Sequence, residues 1–176
     1  MNIFILNSGR CGSTTFIKAC QHITNYSSAH ESLLTETGSN RFNYADNHIE
    51  ADNRLSWFLG RLDETFGNNA YYVHLSRDPG ETADSFSRRI NFGILKAYEQ
   101  GILMHEKHKL SAHEIATDYI ETVESNIKHF LKDKSNKMDI SLETIKTDFT
   151  QFWNNINAQG DLAKALKELD INYNAS

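Results

Sequence analysis

The stretch that decides the fold is Met1–Thr15, with the sequence MNIFILNSGRCGSTT. Its apolar run at residues 3–6 predicts a short buried strand, and the composition of residues 16–24 predicts a helix. The loop between them holds two glycines, one arginine and three consecutive hydroxyl side chains. A strand, a glycine-rich loop and a helix in this order form the arrangement that binds phosphate groups. The N-terminal stretch therefore predicts an anion-binding site.

Each part of this loop has a chemical role in such a site. Glycine lets the backbone approach an anion closely, arginine supplies a full positive charge, and hydroxyl groups donate hydrogen bonds. The N-terminus of the helix adds partial positive charge. The candidate binding residues are Ser8, Gly9, Arg10, Cys11, Gly12, Ser13, Thr14 and Thr15. An ordinary tight turn between strand and helix is the alternative.

The loop differs from the common nucleotide-binding motif G-x-x-x-x-G-K-S/T. That motif requires a lysine directly after its second glycine. Here Ser13 follows Gly12, and the cation is Arg10, two residues before that glycine. The loop is therefore predicted to bind a phosphate-like anion through a motif that differs from the usual P-loop.

Composition places the chain among soluble globular proteins, with one domain expected over residues 1–176. The net charge of −5 disfavours a general nucleic-acid binder, which is usually basic.

The two cysteines give no disulfide framework. Cys11 fits the turn as a small residue, and a thiol acidified by the helix N-terminus is the alternative. No apolar stretch approaches the roughly 20 residues of a membrane span, so we expect a cytoplasmic protein with no membrane or nucleic-acid partner.

Strands and helices alternate along the rest of the chain. Further strands are predicted at residues 28–32, 70–76 and 138–143. Further helices are predicted at residues 55–66, 81–89, 91–104, 111–132, 148–157 and 161–169. Residues 35–53 are polar and lack a clear period, which predicts a loop with one short helix. The pattern predicts an α/β fold: a P-loop-like, three-layer α/β/α arrangement with a central, mostly parallel sheet of four or five strands and a helix-rich C-terminal half.

A second anion signal follows the third predicted strand. Arg77 stands at the end of that strand, and Ser85 lies eight residues later, after a turn and one helical turn. A guanidinium and a hydroxyl at this spacing can bind the same phosphate, and arginine can do so with two hydrogen bonds. The alternative is a surface ion pair between Arg77 and Asp78, with Ser85 on the helix surface. Ligands of parallel sheets lie at the carboxyl ends of strands, so both loops are expected at one edge.

Together the two motifs resemble those of the sulfotransferases that use 3′-phosphoadenosine-5′-phosphosulfate (PAPS). In that family, a loop of the form Lys/Arg-x-Gly-Ser/Thr-Ser/Thr after the first strand binds the 5′-phosphosulfate, and residues 10–14 read Arg-Cys-Gly-Ser-Thr. A second family motif, Arg-Asp-Pro with a serine eight residues after the arginine, binds the 3′-phosphate. It matches Arg77–Pro79 and Ser85. The resemblance covers roughly residues 1–90.

The resemblance implies transfer of a sulfuryl group from PAPS to a hydroxyl or amine of a small molecule or carbohydrate, with no metal required. It also implies a histidine or glutamate base near the end of the second strand, where His30 and Glu31 are adjacent. Glu31 is the favoured base; histidine titrates near neutral pH, which makes His30 the alternative. Because neighbours on an extended segment point in opposite directions, only one of them is expected to face the site. Arg10 is expected to neutralise charge on the transferring group.

The chain departs from the family's pattern near its C-terminus. Many members complete the 3′-phosphate site there with a glycine-rich basic loop, which is not evident after residue 169. Arg88 or Arg89 is the candidate replacement, and a plain solvated charge is the alternative for each.

The sequence is also compatible with two rival functions, and it contains one loose group of histidines. The rivals are a P-loop nucleotide-dependent phosphotransferase and a non-catalytic anion-binding protein on a degenerate sulfotransferase fold. His105, His108 and His113 lie near one another in the sequence but lack further ligands, so no metal site is predicted.

Overall fold

A computed structural model describes residues 1–104, 109–171 and 173, and in this part of the chain five parallel strands form one sheet. The strands are β1 (Ile3–Leu6), β2 (Ser27–His30), β3 (His48–Ala51), β4 (Tyr71–Ser76) and β5 (Lys137–Ser141). Their order is β2-β3-β1-β4-β5, so β1 lies at the centre. Ile3 of β1 pairs with Ile49 on one side and with Tyr71 on the other. The chain therefore turns to opposite sides of β1, which makes the carboxyl end of β1 a topological switch point.

Helices cover both faces of this sheet. In the described residues they are α1 (Ser13–Cys20), α2 (Leu59–Phe66), α3 (Pro79–Ser87), α4 (Gly93–Ala97), α5 (Ala112–Leu131), α6 (Ile145–Asn155) and α7 (Leu162–Glu168). Helices α1, α6 and α7 bury one face, where Phe16 packs on Phe149. Helices α2 to α5 bury the other face around Phe4 and Tyr119. The predicted three-layer α/β/α fold is confirmed, and no described helix is long and apolar enough to cross a membrane.

The prediction for residues 35–53 was wrong in one respect. The short helix is present as a 3₁₀ helix at Gly38–Phe42, but the same segment also contains strand β3. A strand this short, with a glutamate at its centre, has no apolar alternation to reveal it. Glu50 is fully buried there because Ser32 and His48 satisfy its carboxylate. Arg77 therefore follows the fourth strand of the chain and not the third.

Local conformation and capping explain where α1 and α3, the helices of the two predicted anion motifs, begin. Helix α1 starts at Ser13, three residues before the predicted start, because Gly12 takes a left-handed conformation with φ +84° and turns the chain. Helix α3 starts at Pro79, where proline suits the first helical position. Asp78 caps it by accepting a hydrogen bond from the Glu81 N–H at 2.9 Å.

Other helices also differ from their predicted bounds. The helix predicted at 55–66 is a 3₁₀ helix at Asn53–Trp57 followed by α2. The helix predicted at 91–104 is α4 continued by a π-helical turn at Tyr98–Ile102. The long helix at 111–132 agrees with α5, which begins with a capping box between Ser111 and Glu114.

Gly160 offers a test of how the C-terminal helices dock. It has φ +135°, and a β-carbon there would lie 2.1 Å from the carbonyl oxygen of His22. We expect Gly160→Ala to lower the free energy of unfolding by about 2 kcal/mol or more, measured by chemical denaturation. Gly60→Ala is the control, because a β-carbon at Gly60 meets nothing within 4 Å; it should change stability by less than about 1 kcal/mol. Equal stability of the two variants would contradict this docking.

Candidate active site

A cavity of about 680 Å³ opens at the carboxyl edge of the sheet. Each of the five strands contributes at least one residue from just beyond its end. In the order of the chain, these residues include Arg10 after β1, Glu31 after β2, Arg54 after β3, Arg77 after β4 and Leu142 after β5. The sequence motifs at 7–15 and 76–80 thus meet at one edge of the sheet, where ligands of parallel sheets bind.

The loop at residues 7–15, called the anion loop below, has a backbone conformation that requires its glycines. Gly9 and Gly12 have φ +100° and +84°, in the left-handed region that glycine favours. A β-carbon on Gly12 would lie 2.7 Å from the Leu142 side chain, and one on Gly9 would lie 3.0 Å from Phe86. Arg10 also has a positive φ, of 60°. The turn at Gly12 therefore requires a residue without a β-carbon. The N-terminus of α1 faces the cavity, since Ser13, Thr14 and Thr15 line it.

Buried hydrogen bonds hold the loop in place from below. The Asn7 side chain accepts a bond from the Gly9 N–H at 2.9 Å. The Ser8 carbonyl accepts one from the Tyr119 hydroxyl at 2.7 Å, and the Asn7 carbonyl accepts one from Ser56 at 3.1 Å. Asn7 and Ser8 are themselves buried. Their role in this structure is to fix the loop, while Gly9, Arg10 and residues 12–15 line the cavity.

Cys11 faces the core instead of the cavity. It is fully buried among the apolar residues around α1. Burial, with a contribution from the negative charge of Glu124, raises the pKa of the Cys11 thiol to about 12. This direction is opposite to the acidified thiol considered above, and Cys11 fits the turn as a small apolar residue.

Arg10 joins the two anion motifs. Its Nε donates a hydrogen bond to Ser85 Oγ at 2.9 Å, across 75 residues of sequence. Ser85 is buried and lines the cavity, so the alternative that places it on the helix surface is wrong. Burial, followed by repulsion from Arg89, Arg88 and Arg77, lowers the pKa of Arg10.

Positive charge is concentrated in this cavity although the protein is acidic. Among the residues that the structure describes, five arginines and two carboxylates line it, which is an excess of three positive charges. The arginines are Arg10, Arg54, Arg77, Arg88 and Arg89, and the carboxylates belong to Glu31 and Asp170. Both Arg88 and Arg89, the candidate replacements for the C-terminal basic loop, therefore lie in the wall. A local excess of this size favours a ligand with more than one anionic group.

The ion pair of Arg77 differs from the alternative that paired it with Asp78. Arg77 contacts Glu81, one turn into α3, with Nε 3.0 Å from the carboxylate. Asp78 instead caps α3, and its own N–H donates to Glu143 at 2.9 Å. Glu81 is well exposed, so this pair lies at the rim, where water weakens it and leaves the guanidinium accessible to an anionic ligand.

His30 and Glu31 both line the cavity, although only one was expected to face it. The reason is the φ of +54° at Glu31, which breaks the alternation of the extended strand. His30 Nε2 lies 3.0 Å from Ser13 Oγ, so it contacts the anion loop. Glu31 forms an ion pair with Arg54 at 2.9 Å.

Several lining residues were not found from the sequence. Asn53 and Arg54 follow the strand that the sequence concealed, and recognising β3 is the signal that would have revealed them. Leu142 covers Gly12 from the end of β5. Leu169 and Ile171 form a further part of the wall, and the Ile171 carbonyl accepts a hydrogen bond from Thr15 at 3.1 Å.

The unused histidine cluster lies largely outside this structure, because His105 and His108 are not among the described residues. Within residues 1–104, 109–171 and 173, no group of three or more His, Cys, Asp or Glu side chains could hold a metal ion.

Neither the models of known protein families nor the curated proteins gave a match to this chain. The assignment of a function therefore depends on the residues of the cavity.

The cysteines provide a test of the loop's packing. Cys11 and Cys20 are both buried, and burial raises the pKa of both thiols, which disfavours the reactive thiolate at pH 8. We expect a thiol-specific chromogenic disulfide reagent to leave both unmodified in the native protein at pH 8 and to modify both in denaturant. Native modification of Cys11 at the rate of free cysteine, assigned with a Cys11→Ser variant, would contradict the buried loop.

Proposed function

We propose that the protein is a sulfotransferase that moves a sulfuryl group from PAPS to a hydroxyl or amine acceptor. The hydrogen bond from Arg10 to Ser85 carries the proposal, because it joins two anion-binding motifs into one cavity. Arg77, Arg88 and Arg89 extend the positive charge of that cavity beyond the anion loop. PAPS carries a phosphosulfate and a separate phosphate, so one ligand would use both parts.

The residues present fit the groups of such a ligand. The backbone of the anion loop, the N-terminus of α1 and Arg10 would hold the phosphosulfate. Arg77 and Ser85 would hold the 3′-phosphate, with Arg88 and Arg89 in the same wall. The volume of about 680 Å³ lies within the usual range for small-molecule sites.

The chemistry divides between the anion loop, which binds the donor, and Glu31, which acts on the acceptor. PAPS supplies a sulfuryl group, whose bond to the 5′-phosphate oxygen breaks as the acceptor atom bonds to sulfur. Arg10 and the loop N–H groups stabilise the charge left on that phosphate oxygen. Glu31 accepts the proton that the acceptor loses. His30 contacts the Ser13 hydroxyl and fixes the position of that side chain in the anion loop.

A nucleotide-dependent phosphotransferase is the rival for the same cavity. Such enzymes bind the nucleotide's magnesium ion through a carboxylate at a strand end. Asp78, the acid in that position, caps α3. Of the carboxylates in the described part of the cavity wall, Glu31 is paired with Arg54, and Asp170 forms an ion pair with Lys146. These pairings favour a ligand that the arginines bind directly.

Binding calorimetry separates the two. We expect adenosine 3′,5′-bisphosphate (PAP), the product of PAPS, to bind, and Arg77→Ala to weaken its affinity by about tenfold or more, because a charge-assisted contact is lost. Arg61→Ala is the matched control, since Arg61 contacts the Gly38 carbonyl away from the cavity. Its effect should be below about twofold. Tight binding of ATP with Mg²⁺ and no response to PAP would refute the sulfotransferase proposal.

Turnover tests the catalytic part of the proposal. Sulfur-labelled PAPS is offered with a library of alcohols, phenols, amines and saccharides, and labelled products are counted. Glu31→Gln should lower transfer by about a hundredfold or more with unchanged PAP affinity, because the proton acceptor is lost. His30→Gln is the paired variant; a loss there without a loss in Glu31→Gln would assign the base to His30. PAP binding with no transfer to any acceptor would support the non-catalytic alternative.

A further inference from the structure

Two buried carboxylates stand on β3 and at its end, beside Glu31. Glu50 and Asp52 are both fully buried. They are two residues apart on an extended segment, so they lie on the same side of the sheet. Buried charges of this kind need partners, and the partners of these two converge on the segment around Glu31.

Glu50 fixes the backbone at Glu31. Its carboxylate accepts hydrogen bonds from the Ser32 N–H at 2.8 Å and from the Ser32 hydroxyl at 2.6 Å. The Glu31 N–H donates to the carbonyl of Ala51 at 3.0 Å. These bonds hold Glu31 at φ +54°, a conformation that residues other than glycine rarely adopt. Strain of this kind persists where the surroundings over-determine it, and it concentrates at functional sites.

Asp52 fixes the side chain of Glu31 through Arg54. One Asp52 oxygen accepts a hydrogen bond from the Arg54 N–H at 2.8 Å and lies 4.0 Å from the guanidinium of the same residue. The other oxygen pairs with the buried Arg41. Arg54 in turn contacts the Glu31 carboxylate at 2.9 Å. The chain of contacts therefore runs from buried Arg41 to the carboxylate at the cavity.

The geometry points to Arg54 as a positioning residue, anchored by Asp52, that orients the Glu31 carboxylate toward the acceptor. This inference rests on the proposed function, in which Glu31 accepts the acceptor's proton. Arg54 and Glu31 are each about one third exposed, at 31% and 29%, so the pair is accessible to an acceptor while one end stays fixed. Two fixed partners, one for the backbone and one for the side chain, leave Glu31 little freedom to turn away.

A double-mutant cycle tests this inference. The variants are Arg54→Met, Glu31→Gln and their combination, with Arg61→Met as the matched control outside the cavity. Arg54→Met keeps the N–H that Asp52 accepts from, so the fold is expected to survive; Arg54→Gln is the second variant. The readouts are kcat for sulfuryl transfer from labelled PAPS to the library acceptor of highest rate, and the Kd for PAP.

We expect Arg54→Met to lower kcat by about tenfold or more while the Kd for PAP stays within about twofold. In the Glu31→Gln background the same change should lower kcat by less than about twofold, because Arg54 acts through Glu31. An equal loss in both backgrounds, or a weakened PAP affinity with unchanged kcat, would overturn the inference and leave the sulfotransferase intact. A wild-type protein that transfers nothing would instead overturn the proposed function, and this inference with it.

Discussion

The parallel pairing of β1 with β3 and β4 is the constraint on which the candidate site depends. Parallel strands end at the same edge, so residues that follow different strands meet there although long crossover connections separate them in the sequence. Glu31, Arg54 and Arg77 reach the cavity because their strands lie on the two sides of β1. The anion loop occupies the position between these two groups, at the point where the chain direction divides.

Charge crowding is the second physical feature of the site. The pKa of Arg10 is lowered by burial and then by Arg89, Arg88 and Arg77, which means that its positive charge is disfavoured where it stands. An anionic ligand would relieve that repulsion, and the relief would add to its affinity. The protein as a whole carries a net charge of −5, so the excess of positive charge in the cavity is a local feature. At the end of β3, in contrast, the buried Asp52 carboxylate lies between Arg41 and Arg54 and balances positive charge.

The sequence predicted those parts of the site that depend on local chemistry. The glycines of the anion loop belong to a short segment whose residue types limit the backbone. The alternation of strands and helices predicted the three layers. Strand β3 was missed because Glu50 at its centre is stabilised by Ser32, a contact that no local pattern reveals. Arg54 and its role depend on that strand, and the turn that brings Glu31 into the cavity beside His30 is set by the same long-range contacts.

The central claim is that one ligand with two separate anionic groups occupies this cavity. A crystal structure of the protein with PAP tests it most directly. The account predicts the 5′-phosphate at the N-terminus of α1 beside Gly12 and the 3′-phosphate at Arg77 and Ser85, with Glu31 open to the acceptor side. Electron density for PAP elsewhere, or an empty cavity at a PAP concentration that saturates binding in solution, would contradict it.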